Sequence, residues 1–462
     1  MTPRFLRPLI LALAVLPGGA GAEPPAPPAP VPVAEGVAAV GEANLIPQPP
    51  TDRLLVRLAF PAPADLPPVP PEAGPAHRLL AELFAAGRAA GNHGDLYENR
   101  DRGHSRLRPG DHPQLTHIRY GDTLRGAGLD YGLAGPVLFD APLIGNSSTA
   151  LTAGPMWRSL GRMALTSAGG PRRLFQNHVA GQIHVYPEHR DHDPERGDLF
   201  PANTPYMIVS QGSSGSDRPH LEALAMILAA FRPDTKAFMH ERGLIAPTVQ
   251  MVWRRSQSGV LTRGAYLSGL AHPGAFEADR INLMRKVRLA NAILPDEVPP
   301  MVRLRVLSEQ PGTAEERLFD TPSAIARVWR DPAQTRVLTV SAETTRDPNG
   351  RDLHFTWALL RGDPARVRIA PEGPSGARAR IEIDWQGPRP VPGRADLTSA
   401  RVDIGVFAHN GVHDSAPAFV SVLLPRHEIR RHETGADGIS RAVEIIRRPG
   451  VYADPALFPV TP

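Results

Sequence analysis

The sequence predicts a multidomain chain in which a mixed α/β N-terminal region is followed by a C-terminal β-sandwich. Three observations lead there. Between residues 50 and 300, strand-like alternation is interleaved with apolar stripes at helical spacing. A proline-rich segment from Pro295 to Pro300 stops the last of those stripes. Beyond it, short alternating runs recur between turn sequences, as in a sandwich of antiparallel strands.

In chain order, residues 1–22 read as a secretory leader. Arg4 and Arg7 give the basic start, an apolar run too short to span a bilayer follows, and Ala20-Gly21-Ala22 supplies the cleavage site, so the mature chain begins at Glu23. Residues 23–49 open with a Pro/Ala run and are expected to be an extended spacer. Residues 54–60 alternate as a strand. Residues 77–90 place Leu79, Leu80, Leu83 and Phe84 on one helical face, with Gly91 as the stop. From there to about residue 218, Gly, Asn, Asp and His separate short apolar runs, which predicts loops and short strands forming a functional surface. Residues 219–231 form a helix with Asp217 as its cap, Pro219 in the first turn and a stripe of Leu221, Leu224, Ala225, Leu228 and Ala229. A longer helix is expected over 276–294. Residues 301–334 read as a connector, 335–430 as the sandwich and 431–462 as a tail.

Within the sandwich, residues 335–342 are strand-like, Asp347-Pro348-Asn349-Gly350 is a turn, and Leu353-His354-Phe355-Thr356-Trp357 alternates again. Further strands fit 366–369, 378–385, 401–408 and 417–424. The stretch from Val337 to Asp363 resembles the PKD-like immunoglobulin-type modules of secreted proteins, and with the later strands the resemblance covers about a hundred residues. It implies that Trp357 is the tryptophan buried between the sheets and that the module is a spacer or an interaction domain. It assigns no reaction.

Composition narrows the function classes. There is no cysteine, so neither a disulfide nor a lipid anchor on an N-terminal cysteine is available. The formal charge is +4, two units of which reside in Arg4 and Arg7 of the leader, and basic and acidic residues are interspersed. Nucleic acid is therefore a poor partner. No apolar run in the mature chain reaches membrane-spanning length, and the expected location is periplasmic or secreted.

Two constellations carry the strongest chemical expectations. In the first, residues 177–193, an extended strand would put His178, Gln182, His184 and Tyr186 on one face, with Glu188, His189, Asp191, His192 and Asp193 following in a loop. Imidazoles and carboxylates together suit zinc or another first-row divalent ion, with His184, His189, Asp191 and His192 as candidate ligands. Glu188 or His178 would then take a proton from water. In the second, Ser210-Gln211-Gly212-Ser213-Ser214-Gly215-Ser216-Asp217 forms a tight turn before a helix start, where backbone N–H groups and hydroxyls gather around one point. Ser213 and Ser214 are its candidate catalytic hydroxyls. Gly212, Gly215 and Asp217 are candidate substrate contacts, with Tyr186, Gln182 and His104.

A third group comprises Glu98, Asp101 and His104, which carry acid and base chemistry with little apolar material around them, and the run from Asp140 to Thr149. Asn146-Ser147-Ser148 also fits a glycan acceptor pattern. Together these features predict an exported hydrolase-like enzyme acting on an envelope or extracellular polysaccharide, glycan or ester, metal-assisted or serine-based. The alternative is a non-catalytic glycan-binding or structural envelope protein presenting Trp157, Tyr131 and Tyr186 to sugars. The reading requires the strand near residue 184 to meet the turn before Pro219.

Overall fold

The computed structural model describes residues 27–63, 65–151 and 156–459, and the leader lies outside them. The N-terminal region is built on an eight-stranded sheet. Its spatial order is Ile208–Ser210, Gln182–Pro187, Leu143–Asn146, Leu96–Asn99, Thr116–Tyr120, Val37–Val40, Val31–Ala34 and Leu58–Ala59. The first six of these run parallel. From Leu96–Asn99 the chain passes to Thr116–Tyr120 on one side and then crosses to Leu143–Asn146 on the other, so the strand order reverses at Leu96–Asn99. In parallel sheets, ligands bind outside the carboxyl ends of the strands at such a reversal.

A parallel sheet is covered on both faces, and its strands lose the wet side that an antiparallel pair keeps. All six residues of Gln182–Pro187 are accordingly buried. Ile183 and Val185 pack with Tyr97, Ile144 and Ile208 against the helices Pro75–Ala85, Arg218–Ala230, Ile245–Arg255 and Leu283–Ala292. Tyr186 and Val209 face the opposite layer, with Leu160, Ala164 and Leu165 of the helix Leu160–Thr166 and Leu174 of Gly170–Val179. Each fully buried leucine of the Arg218–Ala230 stripe contributes about 1.5–3 kcal/mol relative to exposure.

Several boundaries are corrected. Residues 23–49 are no spacer beyond Pro30, because the valines that follow the prolines form Val31–Ala34 and Val37–Val40. These pair around Glu35-Gly36, both at positive φ as a two-residue hairpin turn requires. His178 belongs to the helix Gly170–Val179, not to the strand that follows. The helix expected over 276–294 is shorter, Leu283–Ala292. Asn282 caps it, and Phe276 instead bridges to Ser210 beside the main sheet.

The C-terminal half is two packed sheets. One is Arg305–Gln310, Thr335–Ser341, Arg378–Asp384 and Val367–Glu372 in spatial order; the other is Arg317–Thr321, Ala324–Val328, Ala418–Leu423, Arg401–His409 and His354–Arg361. Their inner faces share one apolar cluster that includes Leu338, Val340, Trp357, Ile381, Ile404 and Val420. The sandwich therefore begins at Arg305, and 301–334 supplies three of its strands where a connector was expected. Residues 431–462 include most of a hairpin, Glu428–Thr434 with Ser440–Arg447.

Candidate active site

The carboxyl ends of the parallel strands carry a dense polar network at the order reversal. Glu98 and His184 lie on strands two apart, both opposite Gly145 of the strand between them. A Cβ on Gly145 would stand 2.9 Å from both Glu98 Cγ and His184 Cδ2, so only glycine lets the two side chains meet. They meet with His184 Nε2 2.7 Å from Glu98 Oε1. Tyr120 donates to Glu98 Oε2 at 2.8 Å, and Arg100 stands 3.9 Å from the same oxygen. Burial opposes ionisation of Glu98, but the Arg100 charge and the His184 and Tyr120 hydrogen bonds outweigh it and hold its pKa below the usual carboxylate value.

A second network lies beside it. Asn146 donates to Asp217 at 2.6 Å and accepts from Asn99 at 3.1 Å and from Tyr97 at 3.2 Å, while Ser105 also donates to Asp217. The Asp217 side chain makes no capping bond to its helix and is turned toward this network, where burial raises its pKa. Ser148 donates to Asp101 and accepts from Ser214 at 3.1 Å, and the exposed His104 ring stands 3.7 Å from Asp101.

The strand near residue 184 and the turn before the Arg218–Ala230 helix do come together. Glu188 accepts from the Gly212 backbone at 3.2 Å, the Gln211 amide at 3.0 Å and the His192 backbone at 2.9 Å, and burial pushes its pKa up to about 7. The remaining expected residues are placed differently. His178 lies before the strand that ends at Pro187, at the amino end of the sheet. It is roughly 20 Å of strand away from the rim by the usual rise per residue, buried beside Tyr206 with its pKa lowered to about 3 by burial. Tyr186 and Gln182 are buried, Gln182 bonding the Phe139 carbonyl, so neither faces a ligand at the rim. Ser213 and Gly215 are exposed on the turn, and no histidine is hydrogen-bonded to Ser213 or Ser214 among the described residues.

Of the four residues read as metal ligands, His184, Asp191 and His192 have side-chain partners, whereas His189 Nε2 is buried without one. The Asp191 carboxylate is taken by Arg162 at 3.1 Å and the Ser159 backbone at 2.7 Å, and His192 faces Gln211 at 3.2 Å. His189 sits in a turn at positive φ, its carbonyl accepting from Trp157. Among the described residues no three His, Asp or Glu side chains are grouped as a metal ion requires. Asn146 is wholly buried, which removes it as a glycan acceptor.

Pairing between Leu96–Asn99 and Thr116–Tyr120 stops at Tyr97 and His117. Beyond that point a cleft of about 450 Å³ opens, lined by Glu98, Asn99, His117, Tyr120, Asp130 and neighbouring arginines. His117 is 8 % exposed and its Nε2 has no hydrogen-bond partner. Sequence reasoning singled out Glu98 for its acid chemistry. It missed Tyr120, Asp130 and His117, because nothing local marks them and only the strand order brings them to one hollow.

No family description matches this chain, and no curated protein matches it. Among solved structures it is similar to a nucleoside hydrolase-related hypothetical protein from Saccharophagus degradans that is associated with carbohydrate metabolism. The identity is 11 %, with 61 % of this chain and 71 % of that chain covered, at a TM-score of 0.21. No helix of the described residues is long and apolar enough to cross a membrane.

Proposed function

We propose that this chain is an exported hydrolase-like enzyme acting on a carbohydrate, with its site in the cleft at Glu98. The observation that carries the reading is a pair of carboxyl groups, Glu98 and Asp130, lining one hollow at the carboxyl ends of the parallel strands. Cleavage of a glycosidic bond uses two such groups, one to deliver a proton to the leaving oxygen and one to activate water or stabilise the positive charge that develops on the sugar. Glu98 suits the second task. His184, Tyr120 and Arg100 fix its orientation and keep it ionised. Asp130, which lines the same cleft, supplies the proton, and Asn99 and the unpartnered His117 nitrogen bind sugar hydroxyls. In this reading Ser213, Ser214 and Glu188 shape the neighbouring turn and do not react.

The sandwich serves as a rigid partner module. Its two sheets follow the strand order of an immunoglobulin-type constant domain with an edge of added strands, which supports the PKD-like resemblance.

The test is release of reducing ends from a panel of soluble oligosaccharides by the full mature chain. Glu98→Gln and Asp130→Asn should each lower kcat by about 100-fold or more, the scale of a lost acid or base, with unchanged circular dichroism. Saccharide binding without turnover by the unaltered chain would move the assignment to the non-catalytic glycan-binding alternative.

A further inference from the structure

The charge around the cleft selects among carbohydrates. Arg106, Arg119 and Arg125 line the cleft itself, and an adjoining hollow that shares Gly103, Arg106 and Pro109 adds Arg108 and Arg218. Arg125 is paired with Asp122, and Arg218 with Glu222 and Asp111. Arg106, Arg108 and Arg119 are exposed and have no carboxylate partner among the described residues. Arg106 is close enough to His117 and Tyr97 for its charge to act on both. Against these cations the lining offers two carboxyls, and Glu98 is already neutralised by Arg100. A chain whose overall charge is close to balanced has thus gathered free guanidinium groups at one mouth. Guanidinium forks match planar or tetrahedral oxyanions and gain little from neutral hydroxyls.

We infer that the cleft takes an anionic saccharide, a sugar chain carrying carboxylate or sulfate groups, held by Arg106, Arg108 and Arg119 with the sugar ring over Glu98 and His117. This rests on the cleft being the substrate site. Nucleic acid fits less well, since the chain's overall charge is close to balanced and its basic and acidic residues are interspersed.

The experiment is a calorimetric titration of the full mature chain with four probes of matched length: an oligogalacturonate, a heparin-derived oligosaccharide, an uncharged cello-oligosaccharide and single-stranded DNA. The galacturonate and heparin arms separate carboxylate from sulfate recognition. One of the two should bind about 10-fold or more tightly than the neutral chain, and its affinity should fall as sodium chloride rises from about 50 to about 200 mM. The double variant Arg106→Gln, Arg119→Gln should erase that preference while its thermal unfolding stays unchanged, as both side chains are exposed. Equal affinity for the neutral chain, or equal affinity for DNA, overturns the inference and leaves the hydrolase reading standing. Tight anionic binding with no turnover of any saccharide upholds the inference and defeats the hydrolase reading. No saccharide binding at all overturns both.

Discussion

At Glu188 three N–H donors converge on a buried carboxyl whose pKa is raised to about 7. The folded state keeps that proton at pH values where the unfolded chain, with an ordinary carboxyl, has released it. The group's contribution is therefore fully present below the ordinary carboxyl pKa, declines as pH rises from about 4.5, and is gone above about 7. Each tenfold difference in proton affinity between the two states is worth about 1.4 kcal/mol, so the decline is on the order of 3 kcal/mol. Glu188→Gln should flatten it, which urea denaturation at pH 5, 6.5 and 8 would reveal; a variant curve parallel to that of the unaltered chain would refute this. Gly145→Ala should cost about 1–3 kcal/mol, because the added methyl forces Glu98 from His184, and turnover should fall with it. From the sequence, Glu98, Asp101 and His104 could be singled out only as groups able to carry acid or base chemistry. That Glu98 meets His184 was not legible, since the pair is 86 positions apart and depends on the register of both strands against Gly145.

The helix Leu160–Thr166 shows how separate segments are locked behind the site. Arg162, wholly buried in its middle, holds Asp191 of the turn after Gln182–Pro187 at 3.1 Å and Asp454 near the carboxyl end at 2.6 Å. Removing the arginine leaves two acids in a low dielectric with no cation. Arg162→Ala should therefore cost about 3–5 kcal/mol, measured as a shift in the urea midpoint. Asp454→Asn should cost less, because Asp191 keeps its partner. The helix itself escaped the sequence, since its two turns carry too short an apolar stripe. The Arg218–Ala230 helix was legible within a residue at each end, because a proline at its start and five apolar positions agree. Parallel strands of three to five residues, such as Leu143–Asn146, lack the alternation that made the sandwich strands visible.

For the whole molecule, the boundary near residue 300 is one of sequence pattern and not of packing. The strand Gly197–Asp198 of the N-terminal region pairs with Arg394–Ser399 of the C-terminal half in one small sheet. Behind it, buried Asp198 meets Arg401 at 3.0 Å and is bonded by Arg361, while Asp403 holds Arg401 at 2.7 Å. Leu360, Phe407 and Phe419 of the sandwich belong to the same apolar cluster as Leu224 and Trp253 of the helices. Separating the halves would expose that surface, strand Asp198 without a cation and leave Arg361 and Arg401 sharing Asp403, a cost far above what a flexible interdomain contact carries. The full chain should consequently melt in a single calorimetric transition, with calorimetric and van't Hoff enthalpies in agreement. Asp198→Asn, which leaves Arg361 and Arg401 sharing one acid, should lower that transition and split it in two. Two transitions in the unaltered chain would mean that the sandwich folds on its own and that the shared cluster forms only after both halves have folded.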